Sequence, residues 1–307
     1  MRIISEADIP DSQDYRVLAE ELRKQFLGLR NGTSKNLYRK RLETSEGILD
    51  LMGGIDQERE MGAVKQYFYG GKIDFLVSLF STRSSEILAL FPGRKLTRIR
   101  TAAASALATE ILSRKDSRVL GCIGAGYQAS EQINAISQVR SIKRVIIYDT
   151  NIQKQTLLSR EIEDKLGLET STPETVGGDF READILLTAT TSDHPVINSE
   201  YVDERCYVNS IGSYTPSMRE VDKSVICASK VVAVDSLEET SVATGEIVDV
   251  LSSGCLRRED INELAGLVAG DAKINRKGHR DGAYFKSIGV GIEDLAVAMF
   301  IYSQFLQ

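Results

Sequence analysis

The sequence predicts an α/β protein of two domains, and three observations carry that prediction. The chain has 307 residues, about twice the length of an average domain. Beyond residue 116 the pattern runs strand, glycine turn, helix, strand, and repeats, which is how a parallel sheet flanked by helices is written. Before it, short apolar runs alternate with glycines and turn residues, as in a mostly antiparallel sheet. The expected domains are residues 1–115 with 287–307, and residues 116–286. The last helix, over 292–306, is apolar enough to return to the first domain.

The elements follow in order. Tyr15, Leu18, Leu22, Phe26 and Leu29 recur at spacings of three and four, predicting a helix over 14–30 that Asn31-Gly32 ends. A basic, polar segment comes next, Lys35-Asn36-Leu37-Tyr38-Arg39-Lys40-Arg41. Apolar runs at 48–54, 63–71, 74–80 and 87–91 read as strands, with Pro92-Gly93 as a turn. An alanine-rich helix is expected over 101–113. Strands then fall at 119–123, 145–148, 185–189, 207–211 and 230–234, with helices over 127–139 and 152–166.

Composition narrows the function. Hydrophobic residues make up 42% and charged residues 27%, with a formal charge of -6. A chain that repels polyanions is a poor general binder of nucleic acid or acidic membranes. Only His194 and His279 are present, which excludes a histidine-rich metal site, and no metal is expected. Cys122, Cys206, Cys227 and Cys255 form no C-x-x-C pair, and their neighbours are mostly apolar. The expectation is four free, buried thiols in a reducing cytosol. No stretch reaches the ~18 apolar residues of a membrane span, and acidic residues interrupt the N-terminus at once. A cytoplasmic location is expected.

Gly124-Ala125-Gly126-Tyr127-Gln128-Ala129 has the form G-x-G-x-x-A. It follows an apolar strand, opens a helix, and is followed by a second apolar strand ending in Asp149. That is the Rossmann dinucleotide fingerprint. Gly124 permits the tight turn, Gly126 lets backbone approach a diphosphate, and Ala129 lets helix and strand close up. The diphosphate meets N–H groups at the helix start, lined by Ala125, Tyr127 and Gln128. Asp149 accepts from ribose hydroxyls and repels a 2′-phosphate, so NAD is expected over NADP. Thr190 and Ser213, at the ends of later strands, are placed on the cofactor side. His194 stands before Pro195 in a loop and is expected to be solvated rather than catalytic.

In an acidic chain, Arg41, Lys65 and Arg100 stand out in the first domain. Read as opening its helix, Arg100 opposes the macrodipole. A ligand carboxylate among the three explains that placement, with arginine giving a fork and lysine a point charge. Surface salt bridging is the alternative for any one of them. Arg39 competes with Arg41 for the same role.

The chain resembles the ornithine cyclodeaminase/μ-crystallin family, which includes an archaeal type of alanine dehydrogenase and several imine reductases. The resemblance rests on Leu96-Thr97-Arg98-Ile99-Arg100-Thr101-Ala102-Ala103 joined to the glycine turn. Val208-Asn209-Ser210-Ile211-Gly212-Ser213, Arg219-Glu220-Val221-Asp222 and Gly245-Glu246-Ile247 extend it, as does the stretch from Phe285 through Gly291-Ile292-Glu293-Asp294. It implies a homodimer with a Rossmann domain and a second α/β dimerisation and substrate domain. It implies that Arg41, Lys65, Thr97, Arg100 and Asp294 bind a small amino or imino acid, with Lys65 and Arg100 catalytic. Lys65 then acts as acid/base or through its charge alone. Cyclodeaminases of the family carry an Asp where this chain has Ser213, which favours plain hydride transfer at a C–N bond. The alternatives are an ornithine or lysine cyclodeaminase that recycles NAD, and a non-catalytic, crystallin-like binding protein.

Overall fold

The computed structural model describes residues 1–70, 73–275 and 277–306. It divides into two compact units, Met1–Ala104 with Gly289–Gln307, and Ser105–Ile288. The sequence expectation had placed these divisions at 115/116 and 286/287.

The first unit holds strands β1 (Arg2–Ile3), β2 (Ser34–Glu43), β3 (Ile48–Asp56), β4 (Met61–Tyr69), β5 (Ile73–Ser81) and β6 (Ile87–Pro92). They form one sheet in the order β1-β6-β5-β4-β3-β2, antiparallel except for the β1–β6 pair. Helix α1 (Tyr15–Asn31) is started by Asp14, whose side chain accepts from the Arg16 and Val17 amides. Its stripe of Tyr15, Leu18, Leu22 and Phe26 is fully buried. Among the described residues the chain closes with α9 (Gly291–Gln304), which lies on β3 and β4 beside α1. The first nine residues of α9 are all buried, including Glu293 and Asp294 in its first turn.

Two elements of this unit depart from the sequence expectation. The basic segment 35–41 is part of β2, an edge strand whose outward polar residues hide the usual alternation. Helix α2 (Gly93–Leu112) starts directly after β6, about two turns before residue 101. Leu96, Ile99, Ala103 and Leu107 carry one buried stripe through both halves. Arg100 therefore lies inside a helix, and an argument from the dipole at a helix start does not apply to it.

The second unit holds a wholly parallel eight-stranded sheet, ordered β13-β12-β14-β11-β10-β7-β8-β9. Its strands are β7 (Val119–Ile123), β8 (Arg144–Tyr148), β9 (Glu169–Ser171), β10 (Ile185–Thr188), β11 (Tyr207–Ser210), β12 (Ser229–Val234), β13 (Asn262–Glu263) and β14 (Arg280–Lys286). Helices α3 (Ala129–Val139), α4 (Ile152–Leu166), α5 (Lys223–Ala228), α6 (Leu237–Ala243), α7 (Gly245–Ser252) and α8 (Leu264–Val268) connect them. The chain runs outward from β7 to β9 and then returns to place β10 on the other side of β7. That reversal is the switch point at which open α/β sheets bind ligands, beyond the carboxyl ends of the strands. Phe180, Leu186, Val208, Val232, Ile247 and Tyr284 belong to the apolar core.

Strand β14 was missed from the sequence because Arg280 and Asp281 open it and Lys286 ends it. The Arg280 guanidinium is buried and donates to the Asp203 carbonyl at 2.7 Å and the Cys206 carbonyl at 3.3 Å. The cysteines also differ from expectation. Cys227 and Cys255 form a disulfide across 28 positions, with Cα atoms 5.9 Å apart, while Cys122 and Cys206 are free and buried. The end of α5 and the segment after α7 bring the pair together, and spacing along the chain carries no trace of it. Among the described residues no helix is long and apolar enough to cross a membrane.

Candidate active site

The second unit forms a glycine turn at the end of β7. Gly124 takes φ +100° and donates its N–H to the Tyr148 carbonyl at 2.8 Å, closing the tight turn. A Cβ on Gly126 would meet nothing within 4 Å, so the chain leaves open space there, as a diphosphate requires. Tyr127 is exposed, Gln128 stands at the start of α3, and Ala129 is fully buried against the sheet. Asp149 ends β8 and accepts from the Ala125 amide at 2.7 Å and the Asn151 amide at 2.8 Å. One carboxylate thus fixes the glycine turn and the start of α4. These residues fit an adenine dinucleotide, with the diphosphate at α3 and a ribose beside Asp149.

Thr190 and Ser213 follow β10 and β11. The Thr190 amide donates to Glu220 Oε1 at 2.6 Å, and the Ser213 hydroxyl donates to Glu246 Oε2. Ser213 is completely buried. Its hydroxyl proton is spent on a carboxylate, which leaves the oxygen as an acceptor. The His194 side chain is 84% exposed and its imidazole pairs with the neighbouring Asp193, in keeping with a solvated loop residue.

The first unit holds the cations. Lys65 sits in the middle of β4, opposite Met52 of β3 and Val77 of β5. It is 2% exposed, with Nζ 3.3 Å from Asp294 Oδ1 and 4.9 Å from the centre of the Phe75 ring. Burial pushes the Lys65 ammonium down to about 8; Asp294 opposes that shift, and the charges of Arg100 and Arg39 add to it. Arg100, also buried, donates to Glu293 Oε2 at 2.9 Å, and its Nε lies 3.6 Å from Asp294 Oδ1. Gly289, at φ +80°, lies flush against the Arg100 guanidinium, where a Cβ would collide. Thr97 stands one turn before Arg100, its Oγ1 buried and without a hydrogen-bond partner; Asp294 Oδ2 is in the same condition.

Arg41 pairs with Asp50. It faces Asp50 directly across the β2–β3 ladder and grips it with two hydrogen bonds of 2.9 and 2.8 Å. The ladder slips between Leu37 and Lys40, and Arg39 is the arginine whose charge reaches Lys65. Its Nη2 lies 3.5 Å from the Gly289 carbonyl oxygen. Sequence reasoning also missed Glu293, because two adjacent acids at a helix start read as ordinary dipole partners. Only the burial of α9 shows that both point inward. Arg39, Lys65 and Arg100 outnumber Glu293 and Asp294 by one charge, so the cluster suits one added anion, and Asp294 Oδ2 is an open acceptor for an N–H.

Comparison with known proteins agrees with this geometry. Residues 3–307 match the model of the ornithine cyclodeaminase/mu-crystallin family. A Delta(1)-pyrroline-2-carboxylate reductase from Bacillus cereus is 33% identical over 235 residues, 76% of this chain and 72% of that protein. The structure of the Thermococcus litoralis Delta(1)-pyrroline-2-carboxylate reductase, solved with NADH and L-proline, superposes with a TM-score of 0.92 at 32% identity, covering 100% of this chain and 98% of that one. An archaeal alanine dehydrogenase dimer with bound NAD gives 0.89 at 27% identity, covering 100% and 96%. With its whole length matched, its parallel sheet and glycine turn in one unit, and its cations in the other, this chain belongs to the ornithine cyclodeaminase/mu-crystallin family.

Proposed function

We propose that this chain is an NAD-dependent oxidoreductase that adds or removes a hydride at the C–N bond of a small amino or imino acid. The observation that carries this reading is the pair of buried cations Lys65 and Arg100 on buried Asp294, with half-buried Arg39 close enough for its charge to reach Lys65, together with the family relation. NAD, when bound, supplies the hydride chemistry. The chain's own residues do the rest. Arg39, Arg100 and Lys65 hold the substrate α-carboxylate, where charge-assisted bonds in a dry setting are strong. Lys65, brought near neutrality, gives a proton to the substrate nitrogen in reduction and takes it back in oxidation. Asp294 Oδ1 holds Lys65, and Oδ2 accepts the N–H of the imine or amine. Gly124, Ala125, Gly126, Tyr127 and Gln128 take the diphosphate, and Asp149 takes the ribose hydroxyls, which supports NAD over NADP.

The leading substrate is a cyclic imino acid of the Δ1-pyrroline-2-carboxylate kind, interconverted with L-proline. Such a molecule carries one carboxylate and one nitrogen, matching one excess positive charge and one open acceptor. The reductases similar to this chain support the same assignment. The hydroxyl at Ser213 argues against a cyclodeaminase that needs a carboxylate there. The test is oxidation of NADH, followed by its absorbance, with Δ1-pyrroline-2-carboxylate and separately with pyruvate plus ammonium. Turnover of the cyclic imine is the expected result. No NADH oxidation with either, and ammonia release from ornithine without net NADH, would overturn the reading in favour of the lyase.

The active form is a homodimer, closed through the sheet face opposite α9. Leu37, Leu42, Ile55, Phe68 and Leu76 share that face by register and are all exposed. An apolar patch of this kind marks an interface, and the dimeric alanine dehydrogenase supports a second copy as its partner. Light scattering is expected to give twice the chain mass, and Phe68→Glu to give the monomer.

A further inference from the structure

Glu220 is completely buried at the strand ends of the second unit. Its Oε1 accepts from the Thr190 amide at 2.6 Å. Its Oε2 accepts from the Gly212 amide at 2.7 Å, the Ser210 hydroxyl at 2.9 Å and the Ser213 amide at 3.3 Å. The donors therefore come from two separate loops, one after β10 and one after β11. Both loops leave adjacent parallel strands at their carboxyl ends. Gly212 shows how closely the loops meet, since a Cβ there would strike the Thr190 carbonyl oxygen and Glu220 Oε1. Behind Glu220, its own amide donates to Glu246 Oε1 at 2.9 Å, and Lys286 Nζ lies 3.7 Å from its carboxylate. Lys286, fully buried at the end of β14, also donates to Ser210 Oγ at 3.1 Å.

We propose that Glu220 is a positioning residue whose carboxylate ties the β10 and β11 loops into a preformed edge for the nicotinamide half of NAD. The proposal rests on the reading that NAD binds this unit. The glycine turn after β7 and Asp149 after β8 lie on one side of the switch point and take the adenosine half. A dinucleotide that crosses the switch point puts its second nucleotide over the ends of β10 and β11. Loop amides at strand ends need acceptors. Water could satisfy each separately, but only one shared anion holds the two loops in register before the ligand arrives. Preorganisation of this kind lowers the ordering cost of binding.

The test compares two probes on the full chain: NADH, followed by its fluorescence, and ADP-ribose, which lacks nicotinamide, followed by calorimetry. Glu220→Gln keeps the volume but turns an amide N–H₂ toward either Thr190 or Gly212, both of which donate. The expected result is an NADH Kd raised about tenfold or more, the loss of one charge-assisted hydrogen bond. The ADP-ribose Kd is expected to stay within about twofold. Gly212→Ala keeps the carboxylate and wedges the loops apart, and the same selective loss is expected. That variant decides the matter if Glu220→Gln does not fold. Equal weakening of both probes, or no change in either, would overturn the proposal by giving Glu220 a general structural role or none. A wild-type chain that binds ADP-ribose but not NADH would overturn it as well. Failure of the wild-type chain to bind either probe would overturn the cofactor reading and this proposal with it.

Discussion

Each unit of the molecule buries a cluster of charges, and the two clusters are built on opposite plans. In the first unit, Lys65 and Arg100 pair with Glu293 and Asp294 and the charge of Arg39 reaches Lys65, so cations outnumber carboxylates. In the second, Glu220 and Glu246 face Lys286, so carboxylates outnumber ammonium. Every carboxylate oxygen of the second cluster is engaged by backbone amides, hydroxyls or Lys286. The first leaves Asp294 Oδ2 and Thr97 Oγ1 buried without partners. A saturated buried network rigidifies a fold, whereas an unsatisfied one carries a free-energy penalty that a ligand can remove. On the proposed function, chemistry belongs to the first cluster and shape to the second.

That division can be broken by experiment. Lys65→Met should cost the most. It retains a long side chain but removes the proton and the charge, and kcat should fall about 10²–10⁴-fold with native circular dichroism. A variant that keeps more than a tenth of wild-type kcat would remove Lys65 from the chemistry. Arg39→Ala should raise substrate KM about 10–100-fold, the worth of a hydrogen bond to a charged group. Arg41→Ala, whose partner is Asp50, should leave KM within about twofold; the reverse pattern would restore Arg41 to the site.

The pH profile follows from the depressed Lys65 value, with its sign set by direction. Reduction needs the ammonium, so its kcat should be high below about 8 and fall as pH rises through that value. Oxidation needs the free amine and should rise over the same range. Identical profiles in both directions would mean that Lys65 acts by charge alone. Glu246→Ala should have the smallest effect on chemistry and a clear one on stability. It strands the Glu220 amide and the Ser213 hydroxyl, at about 3 kcal/mol in all. For a unit of this size the Tm should fall by roughly 6–12 °C. An unchanged Tm would contradict the shape-holding role.

The sequence made the second unit's cofactor turn legible because the whole device is local. Gly124, Gly126 and Ala129 shape the backbone of one strand–turn–helix, and the Asp149 carboxylate at the end of the next strand holds its turn. The cation cluster was only partly legible. Lys65 is conspicuous as a charge inside an apolar strand, but the β2 ladder slips by one residue beside Arg39, whose charge reaches Lys65, while Arg41 pairs with Asp50. Spacing alone does not reveal such a slip. Arg100 was placed at a helix start because Pro92-Gly93 reads as a turn, when Gly93 is the first residue of α2. Glu220, Glu246 and Lys286 are far apart in the chain and meet only when β10, β11 and β14 align. The same holds for Cys227 and Cys255. Tertiary convergence of this kind leaves no periodic trace in a single sequence.

On the proposed function, the first cluster binds the carboxylate of an imino acid for reduction of its C=N bond. The most direct measurement is steady-state oxidation of NADH by the wild-type chain with Δ1-pyrroline-2-carboxylate, alongside the corresponding imine that lacks the carboxylate. Saturable turnover yielding L-proline is expected, with a loss of about 10²-fold or more in kcat/KM when the carboxylate is removed. Equal rates with and without the carboxylate, or NADH binding with no turnover of either, would contradict it.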